Sequence, residues 1–194
     1  VSIIKNIFGD DKTYREQRGE DLGDKMYNAI SEVLSEGASA VSLSGTDIPM
    51  LLAEDIESSF TVLENNDIVL SPTEDGGYYL VGMKKANKEI FDIEGYGTGS
   101  VYENTKHKIE DMGLSLGTGR RLRDIDTKED IKAYYGIIRT DLDFRKTHTA
   151  IFLKENKSIA IIIPTYNEEE TIVSLMNQLK GIKDRCEIVF VDGG

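Results

Sequence analysis

Apolar and helical patterns alternate along this chain. Met26, Ile30, Val33 and Leu34 recur at helical spacing within Asp24–Leu34, after a Gly-Glu-Asp-Leu-Gly turn. Ala40–Ser44 then reads as a strand ending at Gly45-Thr46-Asp47-Ile48-Pro49, and Ala53–Leu63 as a helix. The Asn65-Asn66 turn leads into strand Asp67–Leu70, which ends at Pro72-Thr73-Glu74-Asp75-Gly76-Gly77. Tyr78–Met83 reads as a strand and Ser100–Met112 as a helix. Thr127-Lys128-Glu129-Asp130 has the form of a capping box opening a helix over Ile131–Tyr135.

Strands alternating with helices of this length predict βαβ units and a mainly parallel sheet with helices on both faces. In such sheets ligands bind beyond the carboxyl ends of the strands. The three prolines, Pro49, Pro72 and Pro164, each follow a predicted strand, where a fixed φ stops the strand and stiffens the turn.

Polar stretches at 145–149 and 154–158 interrupt the pattern, which restarts at Ile159–Ile163 with a helix at Glu169–Leu179 and a strand at Glu187–Val191. This divides the chain into a first domain at 1–144, a linker at 145–157 and a second α/β unit at 158–194. The second unit is too short for a sheet domain of ~5–6 strands. It is expected to be the start of a longer domain, and the whole sequence a segment of a longer protein.

The 194 residues carry a formal charge of −12. A polyanion is repelled by phosphate backbones, which disfavours nucleic acid as a partner, and suits a site for a divalent cation. The longest aliphatic runs are far below the ~20 residues of a bilayer span, and no secretory leader opens the sequence. One cysteine, Cys186, in an apolar strand pattern, excludes an internal disulfide and fits a cytoplasmic, reducing setting. His107 and His148 lack metal-ligand spacing and read as surface residues, leaving little support for a zinc cluster or a Ser/His/Asp triad.

The candidate chemistry is carboxylate chemistry. Asp47 follows a strand and either reaches a cation that bridges phosphates or caps its own turn. Glu74-Asp75-Gly76-Gly77 pairs two acids with two glycines. It is either an anion- and ribose-approaching loop, a part of a metal site, or an ordinary hairpin turn. Asp124 and Asp126 share one face of an extended chain, with Ile125 on the other. Their mutual repulsion favours a bound cation, although Asp126 also suits a helix N-cap. The glycine runs at 95–99 and 117–119 complete neither G-x-G-x-x-G nor a P-loop. The basic cluster Arg120-Arg121-Leu122-Arg123 reads as a solvated loop in preference to a phosphate contact.

Gln17-Arg18-Gly19-Glu20-Asp21-Leu22-Gly23, Gly45-Thr46-Asp47-Ile48-Pro49, Glu74-Asp75-Gly76-Gly77-Tyr78-Tyr79-Leu80 and Asp124-Ile125-Asp126-Thr127 occur in this order. Together, over about residues 15–135, they resemble the glycosyltransferase-like family called selenodomain-associated transferase 1, which is related to phospholactate guanylyltransferase. The resemblance implies a GT-A-like, nucleotide-diphospho-sugar-transferase fold that binds Mg²⁺ or Mn²⁺ through Asp47, Asp124 and Asp126. Glu74, Asp75, Gly76 and Gly77 would then lie on the donor.

The tail resembles the family 2 glycosyltransferases at Ile161–Glu169 and Ile188–Gly194. That likeness implies nucleotide contacts from Thr165, Tyr166, Glu168 and Asp192, and a fusion of two transferase families. It also implies a basic glycine loop before Val1, and a metal motif and catalytic base beyond Gly194. The expected function is metal-dependent transfer from a nucleotide-sugar or nucleoside triphosphate, with no general base assigned. The alternative is a non-catalytic nucleotide-binding or regulatory domain attached to an active family 2 glycosyltransferase.

Overall fold

The structure is a computed structural model that describes residues 5, 9–93, 96–97, 99–155, 161–165 and 188–192. It divides into two compact units, Val1–Asp130 and Ile131–Gly194. In the first unit, helix α1 (Leu22–Ser35) leads to β1 (Val41–Ser44), α2 (Ala53–Asn65), β2 (Ile68–Pro72) and β3 (Tyr78–Met83). A 3-10 turn at Glu89–Phe91, α3 (Val101–Asp111) and β4 (Leu116–Thr118) follow. Helix α4 (Lys128–Thr140) runs across the division, followed by a 3-10 turn at Phe144–Lys146 and α5 (His148–Glu155). Strands β5 (Ile161–Thr165) and β6 (Ile188–Asp192) complete the described chain.

The sheet of the first unit has the order β1-β3-β2-β4. It is mixed and not mainly parallel as the alternation predicts: β1–β3 and β3–β2 are antiparallel, and β2–β4 is parallel. The cause is the length of one connection. Residues 73–77 are too few for the crossover that a parallel neighbour requires, so β3 turns back on β2 as a hairpin. Because β3 alone is reversed, β1, β2 and β4 still share a direction, and their carboxyl ends lie at one edge.

Both faces of the central strands are covered, which explains their continuous apolar runs. Ile68, Leu70, Val81 and Met83 pack with Met26 and Ile30 of α1 and with Tyr102 and Ile109 of α3. Val69 and Leu80 pack with Leu63 of α2, Ile48 and Leu122. A bulge at Ser71/Pro72, where Ser71 pairs with Leu80 and Pro72 with Tyr78, puts Tyr79 on the face of Leu80 and Tyr78 on the opposite one.

In the second unit, Tyr134 of α4 packs against Phe144 with ring centroids 5.3 Å apart, beside buried Ala150 and Leu153 of α5. The polar stretch after residue 145 thus folds largely as helix. Strands β5 and β6 pair in parallel, from Ile161 opposite Ile188 to Thr165 opposite Asp192. The predicted helix at Glu169–Leu179 and Cys186 lie outside the described residues.

Candidate metal and donor site

Three turns meet at the carboxyl edge of the sheet. The first, Gly45–Leu52, leaves β1 with Asp47, and its Gly45 amide donates to the Tyr79 carbonyl at 2.8 Å. The second is the hairpin 73–77. Asp75 shapes it: Oδ1 accepts from the Gly77 amide at 3.0 Å and from the Thr73 hydroxyl, an Asx turn. Gly76 has φ +94°, and a Cβ there would lie 2.0 Å from the Gly99 carbonyl oxygen, so the glycine serves a close passage of two chain segments. Its carbonyl accepts from the Tyr102 amide at 2.9 Å.

The third turn, Gly119–Thr127, continues the ladder of β4 along the hairpin. The Leu122 amide donates to Pro72 and the Glu74 amide to Leu122, at 3.1 and 3.0 Å. The Ile125 amide then donates to the Asp47 carbonyl at 3.1 Å, which stitches the first turn to the third. Thr127 and Asp130 close the predicted capping box: the Thr127 amide donates to Asp130 Oδ2 at 2.9 Å, and the Asp130 amide to Thr127 Oγ1 at 3.3 Å.

This assembly brings Asp75, Asp124 and Asp126 together, with one carboxylate oxygen of each within 4.8 Å of the others. Asp47 lines a cleft of about 430 Å³ together with Asp75 and Asp124. Burial, and then the charges of Asp75, Asp126 and Asp47, hold the Asp124 carboxyl above the ordinary aspartate range. Hard oxygen ligands gathered at the cost of mutual repulsion fit a hard divalent cation, which would remove that cost.

Gly77 also lines the cleft. Glu74 turns instead to Arg123, with which it forms an ion pair. Thr165 and Asp192 sit opposite each other in the second unit, and Tyr166 and Glu168 lie outside the described residues. His107 and His148 are exposed. Lys25, Met26 and Gln17 line the cleft although nothing in the charge pattern singles them out. The cue for them is the Gln17–Gly23 string. Its Asp21 caps α1 by accepting from the Asp24 amide at 2.7 Å, and buried Gly23 lets α1 approach the Phe91 carbonyl, where a Cβ would sit at 2.5 Å.

Residues 3–98 match the family described as uncharacterized protein conserved in bacteria (DUF2064). The fold is similar to the crystal structure of a "putative nucleotide-diphospho-sugar transferase" from Desulfovibrio desulfuricans G20. The two are 30% identical with a TM-score of 0.74, covering 80% of this chain and 68% of that one. The chain belongs to the DUF2064 family. The DUF2064 match takes in Asp47 and Asp75, and the third turn lies beyond it. None of the curated proteins matches the chain. Among the described residues, no helix is long and apolar enough to cross a membrane.

Proposed function

We propose that this DUF2064 protein is a metal-dependent transferase acting on a nucleotide-activated donor, a nucleotide sugar or nucleoside triphosphate. The observation that carries the reading is the convergence of Asp75, Asp124 and Asp126 within 4.8 Å, beside Asp47, at the carboxyl edge of the sheet. The relationship to the Desulfovibrio protein supports the donor class. Mg²⁺ or Mn²⁺, when bound, would neutralise the donor's diphosphate and the charge that develops on the leaving group.

Asp75, Asp124 and Asp126 would hold the cation, with Asp47 beside them. Gly77 lines the cleft at the hairpin, where a Cβ would come within 3.0 Å of the Thr73 hydroxyl and 3.4 Å of Asp75 Oδ1, so the glycine lets the Asx turn close. Lys25 brings a positive charge to the same cleft, suited to a phosphate oxygen. The apolar wall from Met26 and Leu43 suits the less polar part of the donor.

Mn²⁺ titration by calorimetry and electron paramagnetic resonance, with UDP, CDP, GDP or none, tests this. The expected result is one Mn²⁺ site that tightens when a nucleoside diphosphate is present and disappears in Asp124→Asn. Equal Mn²⁺ binding by the parent and Asp124→Asn would overturn the assignment.

A further inference from the structure

We propose that Arg123 is a positioning residue that holds the Asp75 hairpin and the Asp124–Asp126 turn at cation-binding separation; this rests on the cation reading above. Arg123 Nη1 donates to Asp130 Oδ1 at 2.8 Å, and Nη2 pairs with Glu74 Oε2. Glu74 is the residue before Asp75. Asp130 in turn anchors the second acidic turn, since its Oδ2 accepts from the backbone amides of Asp126 and Thr127 at 3.3 and 2.9 Å. The backbone of Arg123 leads directly into Asp124. One half-buried guanidinium therefore ties together the chain on both sides of the carboxylate cluster.

A cross-brace is needed here because the cluster repels itself. Three carboxylate oxygens within 4.8 Å drive their turns apart whenever no cation is bound. The fork of an arginine fixes two carboxylates in direction as well as distance, which a lysine ammonium does not. Glu74 and Asp130, the carboxylates that this fork grips, are outside the cluster, so gripping them sets the geometry of the two acidic turns.

That role predicts a sign. As a nearby positive charge alone, Arg123 would oppose a bound cation, and its removal would tighten binding. As a brace, its removal loosens the cluster and weakens binding. Mn²⁺ affinity of the full chain is to be measured by electron paramagnetic resonance for the parent, Arg123→Gln and Arg123→Lys, alongside melting of the metal-free proteins.

The expected result is an affinity loss of about tenfold or more in Arg123→Gln, the range seen when groups that orient metal ligands are removed. Arg123→Lys should recover part of it, and both metal-free variants should melt cooperatively. Unchanged or tighter Mn²⁺ binding by Arg123→Gln would overturn the brace and leave the cation site standing. If Arg123→Gln does not fold, Arg123→Lys decides: affinity equal to the parent's overturns the brace, and weaker affinity with cooperative melting supports it. A parent protein that binds no Mn²⁺ would overturn the cation reading and the brace with it.

Discussion

Asp124 is the carboxylate on which the other site acids act most visibly: burial and the charges of Asp75, Asp126 and Asp47 all favour its neutral form. The sign follows. A carboxyl whose folded pKa lies above its unfolded value makes the metal-free fold less stable at neutral pH than in mild acid. Removing that charge should relieve the repulsion. Asp124→Asn is therefore expected to raise the melting temperature of the metal-free protein by about 2 °C, the shift of a fraction of a kcal/mol in a domain of this size. With the proposed cation site, Mn²⁺ should stabilise the parent, and the same variant should lose that stabilisation. Differential scanning calorimetry with EDTA and with Mn²⁺ checks both, and a drop in the metal-free melting temperature would contradict the repulsion.

Helix α4 begins on an ionised cap. Hydrogen bonds from the Thr127 side chain and backbone, with help from Arg123, hold the Asp130 carboxyl down at about 2. A depressed carboxyl contributes stability above its unfolded pKa, near 3.9, and loses it as the pH falls to about 2. The start of α4 should therefore loosen between about pH 4 and pH 2, and Asp130→Asn should flatten that dependence. Circular dichroism of acid titrations, parent against variant, measures it.

This cap was legible as Thr127–Asp130, and so were the turns that carry Asp47, Asp75, Asp124 and Asp126, because turn residues and strand ends leave local marks in a sequence. The direction of β3 is left open, since an apolar run buried on both faces looks the same in either direction. The Asp75-Gly76 turn and the shortness of 73–77 are what betray the hairpin, which is one of the readings of that loop. Nor do Arg120, Arg121 and Arg123 reveal in sequence that they reach Asp55, Met50, Thr73 and Glu74, which lie 48 to 70 residues back in the chain.

Across the whole first unit, the four site acids ride on three turns far apart in sequence, those of Asp47, of Asp75, and of Asp124 with Asp126, and residues 119–126 of the third turn join it to the other two. Arg120 reaches Asp55 through Nε and Nη2, at 2.9 and 2.7 Å, and the Met50 carbonyl at 3.0 Å. Arg121 reaches the Thr73 carbonyl at 2.7 Å. Contacts across such separations give their return only after long loops have closed, and these sit at the polar rim and outside the apolar core. They should therefore form after the rate-limiting barrier to folding has been crossed. Arg120→Ala is expected to leave the refolding rate nearly unchanged and to speed unfolding about fivefold, the share of roughly 1 kcal/mol that falls on the unfolding limb. Stopped-flow chevrons would show this as a raised unfolding arm over a common refolding arm. On a ribosome the same connectivity delays the site. The sheet strands β1 to β3 can pair as soon as they emerge, but the acidic cluster has no brace until residue 123 and its partner Asp130 have left the exit tunnel.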